Sequence, residues 1–404
     1  MTERKVVITA MAVRTAFSGG LSGLLAGLRS GGTGLEPATQ FDGEAFGIPL
    51  VGEVKEAIEA RPDLDGDRKA HLLLSALEDL KITDSFQSVG GCWLGTGLSS
   101  VIPAELEEDV IPYIEKGLIN RDALYRDIAA TRLAPKRHLP ERAMNALADA
   151  VGCEGSRYTS FSACAAGAQA IAEAYRAVRR GEVDVALAGG QDAMIHPLGV
   201  LSFSLLGALS PTGCRPFDRR RDGFALGEGA ALLLIEEESH ALARGAEPIA
   251  RILGAGSSVD AYRPTAPHVD GRGAVLAMQR ALRDAGIGPD AVGHVNAHGT
   301  GTPVGDAAEI KAVVEVFGEG QSVSSIKAAV GHCIAAAGAV EAVACTLALQ
   351  GGFVPGTAGC EQPEEWPVQI EQSPRDAPEV DVILSNSMGF GGQNCSLLLG
   401  GIEG

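Results

Sequence analysis

Several features that mark common protein classes are missing from this sequence of 404 residues. It contains no run of 18 or more uncharged apolar residues, which argues against an ordinary transmembrane helix. The N-terminal segment, MTERKVVITAMAV, lacks the long apolar stretch and the small-residue cleavage site of a secretory signal. We therefore expect a cytoplasmic protein that has no membrane partner.

Metal-binding and disulfide patterns are also missing. The eight cysteines include no C-x-x-C pair and no cysteine–histidine spacing typical of zinc ligands. We therefore expect neither a structural metal nor a disulfide framework, and most of the cysteines should be buried apolar residues. A net charge of −18 argues against nucleic acid as a partner, and an acidic protein partner would need a local cluster of cations.

Aromatic residues make up only 4% of the chain, whereas glycine (53 residues) and alanine are abundant. Small residues allow helices and strands to approach closely, and 46% hydrophobic residues suffice for a large core. The length fits two domains or one large fused unit. These properties indicate a layered α/β protein.

Two similar series of predicted strands and helices follow one another in the same order. The matching segments are 6–9 with 249–254, 92–97 with 294–301, 159–188 with 322–354, and 229–236 with 393–399. We predict two similar halves, 1–245 and 246–404, the first of which carries a charge-rich excursion at about 99–150. The alternative is that any α/β protein offers strand–helix–strand units that can be matched in this way.

Cys164 is the cysteine whose surroundings indicate chemistry. The run SACAAG follows a strand-like segment and turns sharply into a helix of small residues. A thiol in the first turn of a helix feels the partial positive charge of free backbone N–H groups, which favours the thiolate. The alanines and Gly167 leave room for a substrate, so Cys164 is suited to form a thioester. The alternative is a buried packing cysteine.

His298 lies in the run NAHGTGTPVGD, directly after an apolar strand. The flanking glycines permit close approach of a ligand, and the hydroxyls of Thr300 and Thr302 could bind a polar ligand arm. The alternative is a solvated loop histidine. We interpret His298 as a catalytic residue.

His332 follows the run SSIKAAVG and precedes a second helix of small residues, at about the place that Cys164 has in the first half. Lys327 comes before this turn, and Glu341 in the next helix is a plausible buried partner for it. A two-fold repeat would bring the two helix starts together. The glycine-rich run GFGGQN around Phe390 could supply a backbone N–H and a swinging side chain.

Six runs of the chain resemble the elongating β-ketoacyl-acyl-carrier-protein synthases of the thiolase superfamily. They are SACAAG at 162–167, RPFDRRRDGFALGEGA at 215–230, DAYRPTAP at 260–267, NAHGTGTPVGD at 296–306, SSIKAAVGH at 324–332 and SNSMGFGGQN at 385–394. The resemblance is close over about 155–404 and loose over the first 150 residues. It implies a thiolase-like, five-layered α-β-α-β-α fold built from two similar halves, and a homodimer as the usual state.

The resemblance also implies a reaction and residue roles. The reaction is decarboxylative Claisen condensation of an acyl thioester with malonyl-acyl carrier protein (ACP), giving 3-oxoacyl-ACP. No metal or dissociable cofactor is implied, because the phosphopantetheine arm belongs to the carrier protein. The family match makes Cys164 the acyl acceptor, His298 and His332 the two histidines, Lys327 the family lysine and Phe390 the gate. Further matched positions are the supporting acids Glu341, Asp306 and Glu309, and the substrate contacts Thr300, Thr302, Thr265 and Gly391.

Some departures leave the pathway and the assembly open. Met388 and Gln393 stand where the family commonly has Phe and Thr, and the 99–150 excursion is longer than typical. The HGTGT run is the form common in polyketide ketosynthases, whereas DAYRPTAP looks more like the fatty-acid enzymes, so fatty-acid and polyketide or polyene biosynthesis are both open. Alternatives are a ketosynthase active only in a heterodimer with a chain-length-factor-like partner and, less favoured, a thiolase.

Docking of an acidic carrier protein needs clustered cations on the surface. The candidates are Arg68 with Lys69, Lys136 with Arg137, and the run 219–221.

Overall fold

The computed structural model describes residues 4–59, 61–64, 66–80, 89–97, 109–128 and 139–402. The strands are β1 (Val6–Arg14), β2 (Gly91–Thr96), β3 (Ile114–Glu115), β4 (Leu118–Ile119), β5 (Ser156–Ser160), β6 (Val185–Ala193), β7 (Glu228–Glu237), β8 (Ala250–Val259), β9 (His294–Asn296), β10 (Ser322–Ser324), β11 (Phe353–Val354), β12 (Gln369–Ile370), β13 (Arg375–Asp376), β14 (Val382–Gly389) and β15 (Gln393–Gly400). The helices are α1 (Gly20–Ser30), α2 (Arg68–Asp79), α3 (Arg121–Asp127), α4 (Glu141–Ala150), α5 (Ala166–Arg179), α6 (Pro197–Leu205), α7 (Glu238–Ala243), α8 (Arg272–Ala285), α9 (Pro303–Phe317), α10 (Lys327–Val330) and α11 (Ala337–Gly351).

Eleven strands pair in the order β12-β10-β9-β14-β15-β8-β1-β7-β6-β2-β5. A short antiparallel pairing of β1 with β8, at Val7–Arg251 and Ile8–Ala250, joins two halves. Outward from this junction the first half runs β1, β7, β6, β2, β5 and the second runs β8, β15, β14, β9, β10. In both halves the first two pairings are antiparallel and the next two are parallel. The predicted fold of two similar halves is confirmed, whereas the boundary at 245/246 stays a prediction.

Three of the four sequence pairs correspond to equivalent strands, namely β1 with β8, β2 with β9, and β7 with β15. The fourth is wrong at its end, because the counterpart of β6 is β14 and not the apolar run 353–354. That run forms β11, which pairs with β13 in a separate two-stranded sheet. A short apolar segment after a helix has the same pattern whichever strand it pairs with, so the pattern could not identify the partner.

Helices α5 and α11 pack against each other between the two halves of the sheet, with α2 and α4 outside the first half and α8 and α9 outside the second. Close helix packing explains the small residues. A Cβ on Gly167 would lie 2.9 Å from the carbonyl oxygen of Ala335, and one on Gly338 would lie 2.7 Å from the Cβ of Ala168. The segment Ile334–Gly351 is long and apolar enough to cross a membrane, but 83% of it is buried, as in a core helix.

Candidate active site

A cavity of about 260 Å³ brings together several of the predicted site residues. Cys164, from the first half, lines it together with His298, His332 and Phe390, from the second half. Further predicted residues in its wall are Thr265, Thr300 and Thr302. The two halves of the fold therefore supply one shared site.

Cys164 owes its position to a tight turn after β5. Ala163 has a φ of 50° and opens a 3₁₀ turn, Ala163–Ala165, from which α5 continues. Burial raises the pKa of the Cys164 thiol to about 12, although the charge of Lys327 and the backbone N–H groups of Phe390 and Cys164 act against this rise. The expectation that the helix start yields a thiolate is therefore not met, because loss of solvent outweighs these groups.

His298 is held in place through backbone hydrogen bonds to the carboxylate of Glu309. The N–H of His298 and the N–H of Gly299 each donate to a carboxylate oxygen of Glu309, both at 2.8 Å. Asp306 accepts the N–H of Gly301 at 3.0 Å in the same loop. Burial raises the pKa of Glu309 and raises that of Asp306 to about 7. The two predicted acidic positions thus fix the loop that carries His298.

His332 is held between two backbone segments. Its N–H donates to the carbonyl oxygen of Ala225 at 2.8 Å, and its own carbonyl accepts the N–H of Gly227 at 2.9 Å. The residue equivalent to Cys164 in the second half is Ala335, because Ile334, like Ala163, opens a 3₁₀ turn with a positive φ. His332 therefore stands before that equivalent position and not at it, which corrects the expectation from the sequence.

The two imidazoles meet edge to face in the cavity wall. The ring centroids of His298 and His332 are 5.3 Å apart, with an angle of 83° between the ring planes. Burial, reinforced by the charge of Lys327, holds the pKa of both rings well below the ordinary histidine value. Within the described part of the chain, neither Nδ1 atom has a hydrogen-bond partner. Both rings are therefore neutral at physiological pH and can each donate one N–H.

Lys327 forms a buried ion pair with Glu341, the partner expected from the sequence. Lys327 is 1% exposed and Glu341 is 2% exposed. Burial raises the pKa of Glu341 to about 7, even though the ammonium group of Lys327 acts to lower it. The charge of Lys327 acts to lower the pKa of the thiol and of both imidazoles, although neither Lys327 nor Glu341 lines the cavity.

The glycine-rich loop lies directly over the nucleophile. A Cβ on Gly389 would come within 3.1 Å of the backbone nitrogen of Cys164, so a larger residue there would force the loop away. Phe390 lines the cavity, but Gly391, a predicted substrate contact, does not. Gly391 is exposed and donates its N–H to the carbonyl oxygen of Pro264 at 2.6 Å, which holds this loop to the 260–268 loop.

Sequence reasoning missed two aromatic rings of the site. The Phe224 ring lies 5.0 Å from the His332 ring and 5.6 Å from the Phe203 ring, and both phenylalanines line the cavity. Phe224 lies in the family-like run 215–230, and its place beside charged residues and glycine was an available signal. Phe203 gave no signal, because α6 is apolar on several faces. Met388, one of the departures from the family pattern, also lines the cavity.

The first predicted docking pair does not lie free on the surface. Lys69 is 5% exposed, so the prediction that it docks a carrier protein is wrong. Arg68 donates through Nε to Glu228 at 2.7 Å and through Nη2 to the carbonyl oxygen of Val54 at 3.0 Å. The start of α2 packs on β7, so these cations serve the fold. Lys136 and Arg137 lie outside the described residues.

In the third cluster, two of the three arginines have acidic partners. Arg220 pairs with Asp218 and Glu361, and Arg221 pairs with Glu364. Arg219 is exposed.

A duplicated α/β fold with one buried thiol and two neutral imidazoles in a shared cavity defines a thiolase-like condensing enzyme. Models described as "Beta-ketoacyl synthase, N-terminal domain" and "Beta-ketoacyl synthase, C-terminal domain" match residues 71–241 and 249–361. The chain belongs to the β-ketoacyl synthase family and is an acyltransferase of the ketosynthase class.

Individual relatives agree over the whole chain. A 3-oxoacyl-[acyl-carrier-protein] synthase 2 of Staphylococcus aureus (strain N315) is 34% identical over 420 residues, covering 98% of each chain. Among solved structures, the ishigamide ketosynthase/chain length factor is 31% identical, with a TM-score of 0.87 and full coverage of both chains. A type II polyketide synthase acyl-carrier protein in complex with its ketosynthase bound to the hexaketide is 26% identical, with a TM-score of 0.85 and full coverage.

Proposed function

We propose that this ketosynthase forms 3-oxoacyl-ACP by a three-step condensation in which Cys164 carries the acyl group. The observation that supports it is the single cavity shared by Cys164, His298 and His332, with both imidazoles uncharged. Uncharged rings that each donate one N–H suit an enolate, because they stabilise developing negative charge without giving up a proton.

In the first step the sulfur of Cys164 attacks the acyl thioester, and the bond from the acyl carbon to the arm's sulfur breaks. The thiol proton ends on the departing arm; because the thiol is protonated at rest, a neutral imidazole is the group available to pass it on. The N–H groups of Cys164 and Phe390, which both act on the sulfur, are placed to stabilise the oxyanion that forms on the acyl carbonyl.

In the second step the carboxylate of a malonyl thioester leaves as CO₂, and its bonding electrons form an enolate. We assign His298 and His332 as the donors to the enolate oxygen. In the third step the enolate carbon attacks the acyl thioester on Cys164 and expels the thiolate. That thiolate takes up one proton from solvent, which restores the resting thiol and balances the reaction.

The arm of the carrier protein needs polar contacts along the cavity. The hydroxyls of Thr300 and Thr302 lie 3.0 Å apart and line it together with Thr265. We propose that Thr300 and Thr302 bind the amide groups of the arm. We propose that the reaction uses no metal and no resident cofactor, and that the protein is cytoplasmic.

Intact-protein mass spectrometry tests the acyl-carrying role. The protein is incubated with a panel of acyl-carrier and acyl-pantetheine thioesters, and the mass gain identifies the acyl groups that load. Wild type should gain one acyl group, as should Cys92→Ala, whose cysteine is buried outside the site. Cys164→Ala should gain none. Loading of Cys164→Ala at the wild-type rate would contradict the proposal.

A second candidate concerns the assembly. Similarity to a ketosynthase/chain length factor supports an enzyme that works only beside a related, non-identical subunit. Sedimentation of the lone protein, together with the condensation assay, separates the two cases: an active homodimer supports self-assembly, whereas an inactive monomer supports the heterodimer.

A further inference from the structure

The mouth of the active-site cavity is bordered by exposed apolar side chains. Leu206 and Val304 both line the cavity, yet they are 50% and 53% exposed, so they stand where it opens to solvent. Next to Leu206, helix α6 presents Leu205, which is 79% exposed, and Leu201, which is 45% exposed. We call Leu201, Leu205, Leu206 and Val304 the apolar rim.

The apolar rim is not a by-product of core packing. Helix α6 buries Gly199, Val200 and Phe203, whereas Leu201 and Leu205 are four residues apart and therefore share another face. The segment 193–214 contains no Asp, Glu, Lys or Arg, although 21% of the whole chain is charged. An exposed, uncharged leucine face beside a cavity mouth is typical of an interaction surface.

The occupant follows from the proposed function, on which this inference rests. An arm that reaches Cys164 is tethered to its carrier protein, so the carrier must sit over the mouth while the arm is inside. Among the described cations of the predicted docking clusters, Arg220 and Arg221 are paired with acids, Lys69 is buried, and only Arg219 is exposed without an acidic partner within the described residues. We propose that the carrier protein docks on the apolar rim, mainly by burying leucine side chains.

One exposed cation close in sequence to the cavity wall also suits an acidic carrier protein. Arg263 is exposed, stands two residues before Thr265 of the cavity wall, and lies over the Tyr262 ring at 5.2 Å. No acidic partner is found for it within the described ranges. Arg263 can therefore supply a positive charge to an acidic carrier beside the apolar contacts of the rim.

The test compares a carrier-borne substrate with a small one. The substrates are a carrier-protein thioester and a pantetheine thioester with the same acyl group, chosen as the group that loads wild type fastest from pantetheine. The double variant Leu201→Ser, Leu205→Ser should lower kcat/KM for the carrier thioester about tenfold or more, as expected for loss of buried anchors. Its kcat/KM for the pantetheine thioester should stay within about twofold of wild type, because neither leucine lines the cavity.

Leu242→Ser is the matched control, because Leu242 is 59% exposed on α7, away from the cavity. It should change neither substrate's kcat/KM. For wild type, raising NaCl to about 0.5 M should lower kcat/KM for the carrier thioester only slightly, because screening acts on charge pairs and not on apolar burial. Sedimentation of the double variant should match that of wild type.

Three results would overturn the inference: unchanged use of the carrier thioester, equal losses with both substrates, or a changed oligomeric state, which would assign the rim to a second copy. Failure of wild type to load any acyl group from either substrate would instead count against the proposed function.

Discussion

Ala163 and Ile334 occupy equivalent positions in the two halves of the fold, and both have positive φ angles, 50° and 44°. Each opens a 3₁₀ turn that leads into a core helix, α5 or α11. The next residue is Cys164 in the first half and Ala335 in the second. The N–H of Ala335 donates to the carboxylate of Asp192 at 3.1 Å. In the second half a protein carboxylate therefore binds the backbone N–H of this turn. In the first half the equivalent residue, Cys164, lines the cavity and is accessible to substrate.

The left-handed backbone at Ala163 predicts a cost for β-branched side chains. Ala163→Val should lower the free energy of unfolding by about 1–2 kcal/mol, because a β-branched residue is strained at this φ. Ala163→Gly should be close to neutral, since relief of strain offsets the added freedom of the unfolded chain. Denaturant unfolding of both variants measures the difference. Equal stability of the valine variant and wild type would show that the turn has another conformation.

Much of the site could be predicted because its residues follow strand ends and precede small-residue helices. Cys164, His298 and His332 all lie at such ends, and the duplicated pattern placed them at one centre. The spacing between His332 and the true equivalent of Cys164 could not be read from the sequence, because Ile334 is β-branched and such residues rarely adopt the positive φ that opens this turn. Only glycine or asparagine would have signalled it.

The electrostatic predictions were less successful for a physical reason. Sequence shows that Cys164 begins a helix, but not how completely the site excludes water, and burial decides the sign of its pKa shift. The prediction for Lys69 failed for the same reason: its charge suggested a surface position, although the fold buries it. Burial depends on elements distant in sequence, which periodicity does not reveal.

The protonated resting thiol predicts a steep pH dependence of alkylation. With the pKa of Cys164 raised to about 12, the thiolate fraction should rise about tenfold for each pH unit between 7 and 10. The rate of iodoacetamide labelling at Cys164, followed by peptide mass spectrometry, should rise in parallel without levelling off. A plateau reached below about pH 8 would instead show that the helix start and Lys327 outweigh burial.

Two substitutions of His332 distinguish a role as hydrogen-bond donor from a role as proton acceptor. His332→Ala removes one donor to the enolate and should lower malonyl decarboxylation about 100-fold or more. His332→Gln keeps an N–H donor but cannot act as a base, so it should retain more decarboxylation than the alanine variant. Release of labelled CO₂ from malonyl-ACP measures both. Equal rates in the two variants would assign His332 a role as base.

Arg68 should act on the position of His332 and not on carrier docking. Its guanidinium is bound to Glu228, which is fully buried and follows Gly227, the donor to the carbonyl of His332. Arg68→Met should cost about 2 kcal/mol of stability, less than for a fully buried pair, because the arginine is partly exposed. Burial already raises the pKa of Glu228 and Arg68 opposes this rise. The deficit should therefore shrink as pH falls and the carboxyl becomes protonated.

The kinetics of the Arg68 variants distinguish positioning from docking. Arg68→Met should lower kcat to a similar extent with carrier and pantetheine thioesters and leave KM for the carrier unchanged, because the histidine moves while the docking surface stays intact. Arg68→Lys should recover part of kcat, since it keeps the charge but not the two-point contact. Arg61→Met, which removes a cation paired with the exposed Asp63, is the control and should resemble wild type. A rise in KM for the carrier thioester alone would instead show that Arg68 takes part in carrier docking.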